Sequence, residues 1–354
     1  MRLSALLSCG LILILLPACS LQKLTGDTMI DYGNEHMIPY LIEAGDPAVA
    51  CATGLTMGGF LNSFERVTDP PDRGAVVTLL SASTCSELRS WQSELASARA
   101  IFRGDGPGAV DARIEQKRAH EVTARRLYAA YKRATARFGQ PGQTCPTLET
   151  EFDQFVWLLG LVAVVQGVQH DRASEGAVGI PLDIPLKAAR GSECLNNLTW
   201  WGVPNALKAA IWTSVPGSTP KGADPWAMLK AAELVGDQKG VRLARAIRLK
   251  ALQGGGKATE LKAAIAEFGS KNKAFKVSAK WKAMDEMAAL MARHLSDLIW
   301  TEKTGHRTPF GALGTFPDDG QQDAEGADQE DEGLLDDLGR RVSPMVNGQF
   351  AQRG

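Results

Sequence analysis

The stretch that decides the fold is Thr150–Gln169, which reads TEFDQFVWLLGLVAVVQGVQ. Its centre, from Phe155 to Val165, is eleven residues without a polar side chain. This run is too short to cross a bilayer, which needs about 20 apolar residues. Thr150 and Asp153 match the capping box, in which an acid follows Ser or Thr by three residues. A helix that is apolar on all sides is usually buried on all sides, so the stretch predicts a central core helix.

The residues around this core helix read as further helices separated by short breaks. Asp46-Pro47 and Asp224-Pro225 each place an Asp N-cap before a Pro at the first helical position. Gly74–Ser83 is rich in Val, Leu and Thr, but we assign it to a helix because no nearby segment offers a partner strand. Gly236-Asp237 is predicted to separate two helices. The predicted class is therefore all-α, as an irregular helical array or an α-solenoid of tetratricopeptide-like repeats over residues 34–305.

The N-terminus reads as an export signal. Residues 1–18 carry Arg2, an apolar run that ends at Leu16, and then small residues, as secretory signals do. Leu16-Pro17-Ala18-Cys19 resembles the bacterial lipobox, in which the cysteine is acylated, for example with palmitate, and becomes the first mature residue. The alternative is an ordinary cleaved signal. Ser20 is not the aspartate of inner-membrane retention, so we expect an outer-membrane lipid anchor at Cys19 that faces the periplasm, with 19–33 as a linker.

The mature chain has four cysteines besides the predicted lipid anchor. They are Cys51, Cys85, Cys145 and Cys194. In an oxidising compartment four cysteines suggest two disulfides, for which three pairings exist. The simplest pairing is Cys51–Cys85 with Cys145–Cys194, although spacing alone does not decide it. A zinc site is the rival, but the sequence lacks a C-x-x-C pair, so no metal is predicted.

Charge and the C-terminus restrict the partners. The net charge of −1 over 354 residues argues against a nucleic-acid partner. From Asp318 to Asp337 the chain is acidic and has few large apolar residues, so it cannot bury enough surface to offset its chain entropy. We expect residues 306–354 to form a disordered tail, which either solubilises the protein or binds a partner.

The long connection after the core helix, His170–Trp201, carries the candidate binding residues. Polar side chains and paired tryptophans on such a connection could line a ligand cleft, and an Arg could bind a carboxylate or phosphate through two hydrogen bonds. The alternative is that these side chains only satisfy the backbone groups of a non-helical segment. The candidates for ligand or partner binding are His170, Asp171, Arg172, Asp183, Arg190, Asn197, Trp200 and Trp201.

Sequence signatures of catalysis are missing. The chain has no H-E-x-x-H, no G-x-S-x-G, no phosphate-binding loop and no dinucleotide fingerprint. Its five histidines are scattered, and its mature cysteines are predicted to be oxidised. We therefore expect neither an enzyme nor a cofactor. A hydrolase that uses carboxylates of the connection is the remaining enzymatic alternative.

Three features together resemble a known family. They are the lipobox at Leu16–Cys19, the helix junction Ala44-Gly45-Asp46-Pro47 and the junction Gly236-Asp237. The combination resembles the lipoprotein T-component associated with some tripartite ATP-independent periplasmic (TRAP) transporters. The resemblance covers most of residues 19–305 and implies a periplasmic, all-helical protein with cryptic tetratricopeptide-like repeats that works with a substrate-binding component. No binding residue of that family can be assigned to this sequence.

Two functions follow as hypotheses. The first is a periplasm-facing lipoprotein that serves as a scaffold for a protein partner, as an accessory of a transporter or envelope assembly, with Trp200-Trp201 as the contact anchor. The alternative is a lipoprotein that binds a small molecule through the His170–Trp201 connection. An enclosed apolar pocket beside Arg172 or Arg190 would favour the small molecule, and an open groove would favour the protein partner. Two carboxylates about 5–9 Å apart in a cleft would favour a glycosidase-type hydrolase.

Overall fold

The computed structural model describes residues 18–142 and 144–319, with side chains from Leu21 onward. The predicted signal peptide before Ala18 and the tail beyond Asp319 lie outside the described residues, as does the side chain of Cys19. The described part is helical throughout and contains no strand, which confirms the all-α class.

The helices follow one another with short connections. A π-helical turn at Gly33–Met37 joins α1 to α2, and 3-10 turns lie at Phe64–Arg66 and Ala279–Trp281. The α-helices are α1 (Ala18–Tyr32), α2 (Ile38–Ala44), α3 (Pro47–Ser63), α4 (Asp72–Phe102), α5 (Gly106–Phe138), α6 (Glu151–Ala173), α7 (Ile184–Ser192), α8 (Val203–Ser214), α9 (Pro225–Lys239), α10 (Leu243–Gly254), α11 (Ala258–Lys271) and α12 (Lys282–Thr304).

Helix α6 is the predicted core helix. Thr150 Oγ1 accepts from the Asp153 N–H at 3.0 Å, and Asp153 Oδ2 accepts from the Thr150 N–H at 3.2 Å, which confirms the capping box. By length and composition α6 could cross a membrane, but it is largely buried inside the fold. Its apolar side chains are instead surrounded by other helices, which is what the sequence predicts for a core helix.

The long hairpin of α4 and α5 packs on α6, and small residues bring these helices close together. A Cβ at Gly160 of α6 would lie 2.5 Å from the Ala134 Cβ of α5. A Cβ at Gly54 of α3 would lie 2.3 Å from the backbone nitrogen of Ala82 in α4. Both glycines are therefore required by helix contacts rather than by turns.

Two disulfides join neighbouring elements. Cys51 of α3 is bonded to Cys85 of α4, and Cys145 is bonded to Cys194 just after α7. The simplest of the three predicted pairings is thus confirmed. The second disulfide ties the segment before α6 to the connection that follows it.

The predicted junction at Gly236-Asp237 is wrong. Both residues lie inside α9, which continues to Lys239, and the chain turns at Gly240 with φ 72°. A Cβ at Gly236 would lie 2.6 Å from the carbonyl oxygen of Val241 and 3.0 Å from that of Trp201. The glycine is explained by this close backbone approach. The junction at Gly45, with φ 65° and Asp46 as the N-cap of α3, is confirmed.

Three segment boundaries also differ from the prediction. Residues 19–33, predicted as a linker, lie in α1 and the π-helical turn. The connection His170–Trp201 is helical at both its start, in the last turn of α6, and its middle, in α7. Residues 306–314, predicted as tail, belong to the compact unit that ends at Gly314, and Thr308 bonds to Ser296 and Asp297 of α12. A second unit begins at Thr315; in its described part the Phe316 N–H donates to Asp319.

Candidate functional site

A cavity of about 590 Å³ lies among helices α4, α5, α6, α8, α10 and α12. The helical repeat explains how each helix contributes several side chains. Glu87, Trp91 and Glu94 are spaced by four and three residues, so they lie on one face of α4. Gln116 and His120 share a face of α5 in the same way.

The lining of the cavity combines apolar and polar side chains, and these two sets are called its apolar side and its polar side. The apolar side chains are Val162, Val165, Leu207, Leu243, Ile247, Met287 and Met291. The polar groups are Glu87, Glu94, Gln116, His120, Gln166, Gln169, His170 and Lys250, with the exposed Arg113 and Arg172 among the other lining residues. A volume of this size with a few charged groups is typical of small-molecule sites.

Three side chains from three helices form a chain of contacts on the polar side, one a hydrogen bond and one an ion pair. His120 Nδ1 lies 2.8 Å from His170 Nδ1, and His170 Nε2 lies 3.4 Å from Glu87 Oε1. An ionised Glu87 can only accept, so His170 donates from Nε2. A proton taken up at His120 Nε2 can then be balanced by transfer of the Nδ1 proton to His170, whose positive charge Glu87 stabilises. The arrangement is a proton relay that begins at the cavity.

The second carboxylate of the cavity is held in a similar way. Glu94 Oε2 lies 2.9 Å from Nε2 of His294, whose ring stacks on Trp91 at a centroid distance of 4.5 Å. His294 Nδ1 is buried and has no hydrogen-bond partner. If the His294 ring is neutral and donates from Nε2, its Nδ1 is an acceptor. The buried atom without a partner is then an acceptor and not an N–H group, which fits the geometry better.

Lys250 is the cation of the polar side that comes from α10. Its Nζ donates to Oε1 of Gln253 at 2.7 Å, and no carboxylate oxygen of the described residues lies within 4 Å of it. Three arginines that precede Lys250 along the chain are all ion-paired. They are Arg242 at the N-cap of α10, and Arg245 and Arg248 within it.

Burial and neighbouring charges shift the pKa values of these groups. Burial alone would raise the pKa of Glu87, but the hydrogen bond and charge of His170 and the charge of Lys250 bring it below its usual value. His294 and Lys250 do the same for the pKa of Glu94 against its burial. Burial and the charge of His170 lower the pKa of His120 to about 4. Burial lowers the pKa of Lys250, against the opposing charges of Glu94 and Glu87.

Metal binding is not indicated here. Among the described residues, no three His, Cys, Asp or Glu side chains are grouped so as to hold a metal ion. The paired histidines and carboxylates use their nitrogen and oxygen atoms on one another. The cavity therefore offers hydrogen bonds and charge to an organic ligand.

Two of the predicted site residues lie at this cavity, and a third supports its wall. His170 belongs to the proton relay, and Arg172 is exposed among the lining residues. Asp171 instead accepts from the backbone N–H groups of Val178 and Ile180, both at 2.8 Å, and so fixes the chain that leaves α6.

The other predicted residues that are polar lie elsewhere. Asp183 is paired with Lys187 on the surface. Arg190 donates to the carbonyl oxygen of Gly142, and Asn197 accepts from the backbone N–H of Asn205. These three side chains hold connections in place, which was the alternative interpretation of the segment.

The prediction of an accessible tryptophan anchor is wrong. Trp200 and Trp201 are 0% and 2% exposed. They pack with Trp281 and Phe155 at centroid distances of 4.7–6.0 Å, and Trp200 Nε1 donates to Gln154. Positive φ angles at Trp201 (52°) and Gly202 (78°) fold this turn back into the core.

Sequence reasoning missed Glu87, Glu94, His120 and Lys250. A weak signal existed for the first two, since Glu87, Arg89 and Glu94 are the only charged residues in the otherwise uncharged run from Gly74 to Ala98. No comparable signal marked His120 or Lys250. Their role depends on which helices meet.

Comparison with protein-family models, with curated proteins and with solved structures gives no match. The evidence for function is therefore the geometry of the cavity. The resemblance to the TRAP-associated lipoproteins stays a prediction.

Proposed function

We propose that this protein binds a small organic molecule in the cavity among α4, α5, α6, α8, α10 and α12. The observation that carries the proposal is a cavity of about 590 Å³ whose lining includes Glu87, Glu94, His170 and Lys250 together with apolar side chains. Arg172 is among the residues that line the cavity. The ligand then has an apolar body and at least one polar group.

Several contacts support binding as the role of these groups. Burying ionisable side chains is unfavourable unless they are paired, and here both carboxylates that line the cavity are paired with histidines. Groups that are fixed before a ligand arrives lose little freedom when it binds. Strongly perturbed pKa values in a cavity are typical of functional sites.

The carboxylate spacing favours binding over glycoside hydrolysis. Glu87 and Glu94 are seven residues apart on one helix, which corresponds to a rise of about 10 Å along its axis. Each is also paired with a histidine. A glycosidase pair faces a bond from both sides at about 5–9.5 Å, and two residues on the same helix face do not provide this arrangement.

The proposed location remains the outer membrane, with a lipid on Cys19 and the protein facing the periplasm. Two disulfides are consistent with an oxidising compartment. Helix α3 has no charged residue and exposes Val49, Leu55 and Phe60, while α1 exposes Leu21 and Leu24 just after Cys19. Apolar side chains so close to the proposed anchor suit contact with the lipid surface.

An accessory role beside a transporter is compatible with this proposal. A ligand-binding lipoprotein could pass its ligand to a substrate-binding partner, as the resemblance implies. Only the Gly45 junction of the two that suggested the family is a turn between helices.

A cavity-filling variant tests the proposed function. The probe is the fluorescent anion 8-anilinonaphthalene-1-sulfonate, which has an apolar body and one charged group. Ala210 lines the cavity, so Ala210→Trp should weaken probe binding at least about tenfold, which is about 1.4 kcal/mol. Ala227→Trp on the exposed side of α9 is the matched control and should bind as the unmodified protein does.

Circular dichroism establishes that both variants keep their helices. If the folded Ala210→Trp protein binds the probe as well as the control, the cavity is not the binding site and the proposed function is wrong.

A further inference from the structure

Lys250 differs from the two arginines of its own helix. On α10 it follows Arg245 and Arg248, which bond to Glu233 at 3.0 Å and 2.8 Å. Lys250 has only the neutral amide oxygen of Gln253. It nevertheless lines the same cavity as Glu87 and Glu94. Its charge lowers the pKa values of both carboxyl groups, although burial and the histidine partners have larger effects on them. The amine is therefore near acid–base groups without being neutralised by one of them.

We propose that Lys250 captures an aldehyde or ketone in the cavity as a reversible Schiff base. This inference rests on the proposed ligand-binding function and names the chemical class of the ligand. The site consists of the Lys250 amine, the neighbouring proton relay and the apolar side of the cavity.

The first requirement is an amine that is neutral often enough to react. A lysine becomes nucleophilic when desolvation disfavours its ammonium form, as in known Schiff-base lysines. Burial lowers the pKa of Lys250, and the charges of Glu94 and Glu87 oppose this without reversing it. A salt bridge would hold the proton on the amine, and no carboxylate oxygen of the described residues is within 4 Å.

The chemical step needs no oxidant, reductant or metal. The nitrogen lone pair attacks the carbonyl carbon, the C=O π electrons move to oxygen, and a proton passes from nitrogen to that oxygen to give a carbinolamine. The nitrogen lone pair then expels the hydroxyl group, which leaves as water after protonation. The product is a protonated imine, and addition of water reverses the sequence.

The relay can handle the proton of the second step. Water leaves from the carbinolamine only if the hydroxyl group is protonated, so a nearby acid accelerates the reaction. The chain His120–His170–Glu87 moves a proton between the cavity and a position beside a carboxylate. His120 and Lys250 both line the cavity.

The apolar side selects the carbonyl compound. Met287, Met291, Ile247 and Leu243 offer flexible and branched surfaces to an aliphatic or aromatic substituent. A carbonyl that carries such a substituent would be anchored by apolar contacts while its carbon faces the amine. Small hydrophilic aldehydes would lack this positioning and should react more slowly.

Reductive trapping tests the inference on the full chain. The purified protein is incubated with benzaldehyde and sodium cyanoborohydride, whose hydride converts the protonated imine into a stable benzylamine, and peptides are mapped by mass spectrometry. We expect Lys250 to be modified at least about tenfold faster than Lys230, a difference that corresponds to about one pKa unit. Lys230 is the internal control because Glu233 and Glu267 both bond to it at 2.8 Å and, against its burial, raise its pKa.

A variant and a second readout separate the possible failures. Lys250→Arg cannot form the adduct, so trapping at this position should be lost, while occupancy of the cavity by the probe is measured on the unmodified protein. If Lys250 is modified no faster than Lys230 while the probe still occupies the cavity, the Schiff-base inference is overturned and the binding function stands. If the probe does not bind in the cavity either, both proposals are overturned.

Discussion

Two charged regions of this fold look alike in composition but differ in how their charges are paired. Where α9, α10, α11 and α12 meet, Arg245 is 1% exposed and bonds to Asp237 at 2.5 Å and Glu233 at 3.0 Å. Arg242 bonds to both oxygens of Asp285, which is fully buried. The aromatic rings of Phe268 and Phe275 lie over the Arg242 guanidinium.

In the cavity, by contrast, the carboxylates are paired with histidines and the lysine has no carboxylate partner within 4 Å among the described residues. Charges that are ion-paired with one another within the protein hold helices together. The charges of the cavity are held in place by neutral or titrating partners and line a volume that a ligand can fill. They are therefore available to a ligand. This difference indicates a stabilising role for the first region and supports the binding role that we propose for the second.

Removal of a paired arginine should produce the largest effect. Arg245→Met leaves Glu233 and Asp237 without their shared partner, and Glu233 is fully buried. We expect the free energy of unfolding to fall by about 3 kcal/mol. This value is at the lower end for a broken buried ion pair, because Lys230 and Arg248 still contact Glu233. Urea denaturation measures the change.

Arg248→Met on the same helix is the control for this prediction. Arg248 is more exposed and bonds only to Glu233, so its loss should cost about 1 kcal/mol or less. Equal losses for the two variants would contradict the assignment of Arg245 as the centre of the paired region.

The relay should make stability depend on pH. The unfolded chain titrates His120 near pH 6.5, whereas burial and the charge of His170 hold its folded pKa at about 4. Between these values the unfolded chain binds more protons, so the free energy of unfolding rises with pH. The contribution of neutral His120 to the free energy of unfolding is complete above about pH 6.5. It is lost as the pH falls toward 4, with a slope of at most about 1.4 kcal/mol per pH unit.

Measurement of urea denaturation from pH 4 to 7 checks this dependence. His120→Gln keeps a hydrogen-bonding group and removes the titration, so its curve should be flatter than that of the unmodified protein. If the His120→Gln curve has the same slope as that of the unmodified protein, groups other than His120 cause the pH dependence of stability.

The smallest expected effect on stability belongs to the cavity lysine. Lys250→Met removes an ammonium that is partly desolvated and has no ion pair, and Met fills similar space with apolar atoms. We expect the free energy of unfolding to fall by no more than about 0.5 kcal/mol. A loss above about 2 kcal/mol, measured by urea denaturation, would mean that Lys250 is structural like Arg245.

The sequence allowed part of this structure to be predicted, and the reason is locality. The core helix, its capping box and the Asp-Pro caps depend on residues within a few positions of one another, and they are confirmed. Gly236 was misinterpreted because its lack of a side chain serves a contact with Val241 and Trp201 rather than a turn. That requirement is set by tertiary packing.

The candidate site could be predicted only in fragments for the same reason. His170 and Arg172 were selected because they end the core helix, but Glu87, His120 and Lys250 come from three helices that are far apart in sequence. The Trp200-Trp201 pair was predicted to line a ligand cleft or to anchor a partner because it lies on the connection that leaves the core helix. Instead the turn at Gly202 folds both rings into the core, where they exclude water.

A crystal structure grown with 8-anilinonaphthalene-1-sulfonate would test the central claim most directly. The account predicts one probe molecule in the cavity, with its rings against Met287 and Ile247 and its sulfonate toward Lys250. Density for the probe only on exposed apolar residues, such as Leu55 and Phe60 of α3, with the cavity unchanged, would contradict it.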